Sequence, residues 1–224
     1  MRNMAGLAVM IGATLVAGCN SNNDSSTPEP SAKNVIFFLG DGMGLNTLTA
    51  ARIYGVGEEG SLTIDTLPET AFIKTFSHDA QVTDSAPSMA AYMTGVKSNN
   101  GVISMDSDAT YESDCSQSAG KPVTTLLELA KADGRGTGVV TSTRVTHATP
   151  AATYAHICNR DLENDIAAQL VPGGAGYNGA LKEGLDVVLG GGSSFFLPKA
   201  DKGKREDGRN LIDEMQAKGY QFAS

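Results

Sequence analysis

The sequence predicts an α/β fold, a sandwich of helices around a mostly parallel central sheet. A short, unbroken apolar run stands at Val35–Leu39, and similar runs recur at Gly138–Thr141 and Leu185–Leu189. Such runs suit strands buried on both faces of a parallel sheet. Segments of helical periodicity alternate with them, and glycines stand at the ends of both kinds of segment. Strand, helix, strand in this order implies right-handed βαβ units.

The elements follow in chain order. Residues 1–18 read as a lipoprotein signal peptide, with Arg2 as a short positive start, an apolar run from Met4 to Ala17, and Val16, Ala17 and Gly18 before Cys19. The run is short for a bilayer span, and its small residues suit cleavage before the cysteine. Cys19 would then carry lipid and anchor an exported chain to a membrane, in the periplasm or cell envelope. Residues 19–33 hold Ser, Asn, Asp, Pro and Glu with almost nothing apolar and are expected to form a flexible tether. Residues 34–224 form the folded part.

Val35–Leu39, closed by Gly40, is the first expected strand. A helix is expected near Ser85: Ala86, Met89, Ala90 and Met93 make one apolar stripe, Pro87 fits the first turn, and Gly95 stops it. A second helix is expected over 122–132, with Val123, Leu126, Leu127 and Ala130 on its inner face and Gly134 beyond its end. The strand from Gly138 follows, then a helix around 162–170, then the strand Leu185–Leu189 running into a turn at Gly190-Gly191-Gly192. A last helix covers 211–218 and ends at Gly219. There is no internal repeat.

A formal charge of −8 argues against nucleic acid as a partner. With 41% hydrophobic residues and 26 glycines the chain is globular and rich in turns. Besides Cys19 there are Cys115 and Cys158, which in an oxidising compartment either bond to each other or remain as two buried thiols. Neither has the spacing of a metal ligand.

Ligands of a parallel sheet collect beyond the carboxyl ends of its strands. That rule gathers Asp41 after the first strand, Ser142 to Thr149 after the second, and Ser85 at the start of a helix. Gly40-Asp41-Gly42-Met43-Gly44 is no dinucleotide loop, because Leu45 stands where the last glycine of the fingerprint belongs. It leaves a carboxylate between glycines, where backbone can close around a hard cation. Ser85 is not in a hydrolase elbow either, since Thr83 and Pro87 replace its glycines. A serine of this kind can be activated by a metal that lowers its hydroxyl pKa. At a helix start it would also meet free N–H groups and the positive end of the dipole, which suit an anion such as phosphate. Arg160 offers a planar fork for two phosphate oxygens. Each of these residues also has a plain structural use, as a turn, a cap or a surface charge.

Taken together, Asn34 to Gly44, Thr83-Asp84-Ser85-Ala86, His147-Ala148-Thr149-Pro150-Ala151-Ala152 with Arg160, and Asp186 to Gly192 resemble the alkaline phosphatases in order and spacing. The resemblance implies a three-layer α/β sandwich with a mostly parallel central sheet. It implies hydrolysis of phosphate monoesters with release of inorganic phosphate, with Ser85 as the nucleophile that becomes phosphoserine. The implied cofactors are two zinc ions and one magnesium. Ser85 would bind one zinc, Asp41 would bridge that zinc and the magnesium, and Thr149 would be a magnesium ligand. Arg160 would clamp phosphate, Asp84 would orient Arg160, and His147 would stand behind the magnesium as a second-shell residue.

The chain departs from that pattern in one respect. Its three histidines are His78, His147 and His156, and the carboxyl-terminal half that supplies most zinc ligands in the family has no counterpart before Ser224. The expectation is therefore an amino-terminal, truncated portion with little activity alone. Two alternatives remain: a non-catalytic phosphate-binding lipoprotein, and a phosphodiesterase or sulfatase of the same wider fold. A homodimer is one assembly the residues leave open.

Overall fold

The computed structural model describes residues 34–223. The expected signal peptide, Cys19 and the tether lie outside the described residues.

Residues 34–39 belong to a unit of their own and adopt no regular secondary structure. Val35, Ile36 and Phe38 are 80%, 77% and 89% exposed, so the expected first strand is not formed. An apolar run becomes a strand only where a ladder takes up its backbone groups. The one ladder described among residues 34–223 lies elsewhere.

In the second unit, from Gly40 onward, six α-helices and two strands follow one another, with short 3-10 turns between some of them. They are α1 (Leu45–Val56), α2 (Ser85–Thr94), α3 (Leu126–Ala132), β1 (Gly138–Arg144), α4 (Ala148–Ala151), α5 (Glu163–Ala168), β2 (Val187–Gly191) and α6 (Leu211–Gln216). Strands β1 and β2 are parallel, pairing Gly138 with Val187, Val139 with Val188 and Val140 with Leu189. The fold is thus α/β with a parallel two-stranded sheet among the described residues.

α1 has no counterpart in the sequence reading. It buries none of its residues, so no apolar stripe announces it. α2 buries Ala86, Pro87, Met89, Ala90 and Met93, and Gly95 closes it in the left-handed conformation at φ 73°. Only glycine takes that conformation without cost.

α3 starts four residues later than expected, where Thr125 caps it. The Thr125 Oγ1 accepts from the Glu128 N–H at 3.2 Å, and Glu128 Oε2 accepts from the Thr125 N–H at 2.8 Å. This capping box fixes which residue begins the helix. Its orientation differs from the expected one: Leu126 is 53% exposed, whereas Glu128 and Lys131 are 4% and 8% exposed. Both charges have partners, Glu128 with His156 and Lys131 with Asp186. A buried charge that is paired and hydrogen-bonded escapes most of its desolvation penalty.

β1 runs on to Arg144, and β2 runs through Gly191, so the expected triple-glycine turn is confined to Gly192, at φ 95°. A Cβ on Gly190 would come within 2.6 Å of Thr141 Cγ2 and 2.8 Å of Val145 Cγ1. Close approach of β1 to β2 therefore requires glycine there. The core gathers α2, α4, α5 and Val139 of β1 around Tyr154, which is fully buried and donates to the Val145 carbonyl at 2.8 Å.

Candidate active site

Asp84 is the N-cap of α2. Its Oδ1 accepts from the Ala86 N–H at 2.6 Å, as a capping aspartate does. Ser85 is the first residue of the helix, and its hydroxyl lies 3.0 Å from both carboxylate oxygens of Asp41. Asp41 sits in the turn before α1, and its Oδ2 also accepts from Thr149 Oγ1 at 2.6 Å. Thr149 is in α4, the single helical turn beyond β1. Three side chains from three separate stretches of chain thus meet at one carboxylate. Donation from Thr149 holds the Asp41 carboxyl below its ordinary range against the opposing effect of burial, and Ser85 and Arg160 add to the lowering. Asp41 is therefore an anion at neutral pH, and it takes both hydroxyl protons as hydrogen bonds.

Arg160 adjoins this cluster through Asp84. Its Nη1 donates to Asp84 Oδ1 at 3.2 Å, and its Nη2 lies 3.1 Å from His147 Nε2. An arginine can only donate, so Nε2 is the accepting nitrogen and His147 is neutral. Burial lowers the His147 pKa, and Arg160 and Arg144 lower it further. The His147 Nδ1 is buried and has no hydrogen-bond partner among the described residues. Asp84 Oδ2 accepts from the Gly101 N–H at 2.6 Å, so the carboxylate that caps α2 also ties it to a neighbouring loop.

All six residues of the expected site are therefore linked, in two groups. Asp41, Ser85 and Thr149 form one, and Asp84, His147 and Arg160 the other; Asp84 and Ser85 are neighbours in sequence. The anion cradle differs from the expected one, since the Ala86 N–H is already engaged by Asp84. Cys115 and Cys158 are joined in a disulfide two residues before Arg160. Sequence reading missed Asn159, Asp161, Tyr111 and Gly101, which hold the Arg160 segment in place. No motif marks them, because their partners lie tens of residues away.

The donor set discriminates between metals. Asp41, Ser85 and Thr149 offer oxygen only, the hard-donor chemistry of magnesium, which is commonly held through one or two carboxylates with substrate or water completing the shell. Zinc takes nitrogen and sulfur besides oxygen, in closed tetrahedral sets. No group of three or more His, Cys, Asp or Glu is placed to hold a metal among the described residues. The oxygen cluster fits magnesium, whereas the described residues do not complete a zinc site.

Residues 32–224 match the model of one protein family, described as alkaline phosphatase. This chain belongs to the alkaline phosphatase family. It is 42% identical over 208 residues to the alkaline phosphatase of Gadus morhua, covering 82% of this chain and 43% of that protein. Among solved structures it is similar to the cold-active alkaline phosphatase of a psychrophilic Shewanella, at 34% identity and TM-score 0.62 over 82% of this chain and 39% of that one. A variant of the alkaline phosphatase from the Antarctic bacterium TAB5, solved with Mg bound, is also similar, at 28% identity and TM-score 0.62 over 80% of this chain and 43% of that one. The chain spans about two fifths of the length of the curated relatives it matches.

Proposed function

We propose that this chain carries the nucleophile and phosphate-binding half of a phosphate-monoester hydrolase that works through a phosphoserine at Ser85. The observation that carries this reading is the Ser85 hydroxyl held 3.0 Å from both oxygens of an ionised Asp41 at the N-terminus of a ten-residue helix. Membership in the alkaline phosphatase family supports it.

Each residue has a distinct task. Ser85 Oγ gives up its proton to solvent and attacks phosphorus, the alcohol oxygen leaves with the electron pair of the broken P–O bond and takes a proton from solvent, and phosphoserine forms. Water then attacks the phosphoserine, releasing inorganic phosphate and restoring the hydroxyl. Arg160 binds two of the non-reacting phosphate oxygens with the N–H groups that Asp84 and His147 leave free, stabilising charge that grows in the transition state. Asp84 sets the direction of that fork, and neutral His147 supports it without adding positive charge.

Asp41 is a poor general base, since its pKa is held below the ordinary carboxylate value, which already lies on the acid side of neutral. Its part is to orient the Ser85 hydroxyl and, with Thr149, to hold magnesium. A cation bound there supplies charge stabilisation that favours the serine alkoxide. We further propose export, with Cys19 as the lipid-bearing residue.

Ser85→Ala tests the reading. After brief incubation with radiolabelled phosphate monoester and acid quenching, the full-length wild-type enzyme should yield labelled phosphoserine in the peptide containing residue 85, and the variant none. Undiminished label in the variant would falsify the assignment.

A further inference from the structure

Four consecutive residues, Cys158 to Asp161, are each tied to the loop between residues 101 and 115. Cys158 is bonded to Cys115. Asn159 Nδ2 donates to the Glu112 carbonyl at 2.7 Å, and Asn159 is 6% exposed. The Arg160 N–H donates to the Gly101 carbonyl at 2.9 Å. Tyr111 Oη donates to Asp161 Oδ2 at 2.6 Å.

Gly101 is the centre of this arrangement. Its carbonyl holds the backbone of Arg160, while its N–H holds Asp84, the partner of the Arg160 side chain. Its φ of 79° suits glycine, and the Tyr111 ring lies where a Cβ would be. Tyr111 therefore packs on the glycine that templates both Asp84 and Arg160, and reaches past it to the residue after Arg160.

We infer that Tyr111, together with the Cys115–Cys158 bond, forms a clasp that positions Arg160 for phosphate. The inference rests on the proposed role of Arg160 as a phosphate ligand. An arginine on a loop pays for its directional bonds in conformational entropy, and anchoring its segment at four successive residues reduces that loss on binding. Tyr111 is a positioning residue in this account, acting on phosphate only through Arg160. Its ring is half exposed, as expected for a group that braces the edge of a site.

The test uses Tyr111→Phe, which keeps the ring on Gly101 and removes only the hydroxyl, beside Arg160→Ala and the double variant. Two quantities are read: amide hydrogen exchange of the peptide spanning residues 158–161, and affinity for inorganic phosphate by calorimetry. Tyr111→Phe should speed exchange there and weaken phosphate binding about fivefold, the loss expected for one hydrogen bond. In the Arg160→Ala background it should weaken phosphate no further, which a generally destabilising change would do. Unchanged exchange in Tyr111→Phe overturns the clasp, and so does equal weakening of phosphate with and without Arg160. If Arg160→Ala itself leaves phosphate affinity unchanged, the role of Arg160 falls and the positioning role with it. Cys115→Ser with Cys158→Ser should move both readouts in the same direction as Tyr111→Phe, and loss of neither would remove the disulfide from the clasp.

Discussion

The Ser85 hydroxyl and the Asp41 carboxylate, 44 residues apart in sequence, lie 3.0 Å apart at both oxygens, and Thr149, 108 residues beyond Asp41, approaches the same carboxylate at 2.6 Å. One anion therefore organises two hydroxyls. Asp41→Asn keeps the shape and removes the charge, so binding of magnesium, measured by calorimetry on the purified chain, should be lost. Thr149→Val removes one oxygen donor and its hydrogen bond to Asp41, and should weaken magnesium by at least about tenfold, the low end of the loss when a group supporting a metal's ligands is removed. Wild-type magnesium affinity in Asp41→Asn would dismiss the carboxylate as a ligand.

Asp84 makes a sharper distinction possible, because its charge can be removed without its shape: Oδ1 takes both the Ala86 N–H and Arg160, and Oδ2 takes the Gly101 N–H. Asp84→Ala removes the cap of α2 and should cost about 1 kcal/mol of stability, together with weaker phosphate binding. Asp84→Asn keeps a side-chain oxygen for the Ala86 N–H but loses the ion pair with Arg160. Its amide nitrogen would face the Gly101 N–H that Asp84 Oδ2 now accepts, so its melting temperature should fall, but less than in Asp84→Ala, while phosphate affinity drops. A fall of both quantities in Asp84→Asn as large as in Asp84→Ala would show that Asp84 acts on Arg160 only through the helix.

What the sequence made legible was local. The stripe of α2 and its stop at Gly95 follow from spacing within ten residues, and Asp41, Ser85, Thr149 and Arg160 stand in short motifs whose residue types have few other combined uses. What stayed hidden depends on partners far along the chain. Leu126 reads as core, yet α3 turns Glu128 and Lys131 inward because His156, Asn178 and Asp186 satisfy them. The same holds for Val35–Leu39, where an apolar run specifies burial without specifying a ladder. α1 offers no buried stripe to read.

Gly190 tests the packing of the strand pair. Alanine there would place its Cβ 2.6 Å from Thr141 Cγ2 and 3.1 Å from the Thr143 carbonyl oxygen. Backbone and a β-branched residue of β1 leave little room to yield, so Gly190→Ala should destabilise by about 1–3 kcal/mol, the usual cost of overpacking. Thermal unfolding reads it directly. Gly208, at φ 74° with nothing within 4 Å of its Cβ position, gives the contrast: its replacement by alanine meets only backbone strain, of order 1 kcal/mol. An unchanged melting temperature in Gly190→Ala would mean that β1 and β2 separate more readily than their register implies.

His156 predicts how stability depends on pH. Its Nδ1 lies 2.7 Å from the Ser104 carbonyl oxygen and its Nε2 2.7 Å from Glu128 Oε1, two acceptors that require a proton on each ring nitrogen. Burial pulls the imidazole pKa down, but the bonds to Glu128 and Ser104 outweigh it, and the net shift is upward. Burial pushes Glu128 up, and its bonds to His156, Asn178 and the Thr125 N–H bring it below its ordinary value. A raised histidine contributes stability that is complete below its unfolded pKa, near 6.5, and is lost as pH rises through the folded value. A lowered glutamate contributes stability that is complete above its unfolded pKa, about 4.3, and is lost on acidification through its folded value. Denaturant unfolding should therefore show falling stability on the alkaline side of pH 6.5. His156→Gln, which can still donate one hydrogen bond, should be less stable at pH 6 and lose that slope. Glu128→Gln should be destabilised more strongly, on the order of 3 kcal/mol, because it leaves a charged imidazole buried without its anion. A wild-type slope retained in His156→Gln would move the alkaline sensitivity to another group.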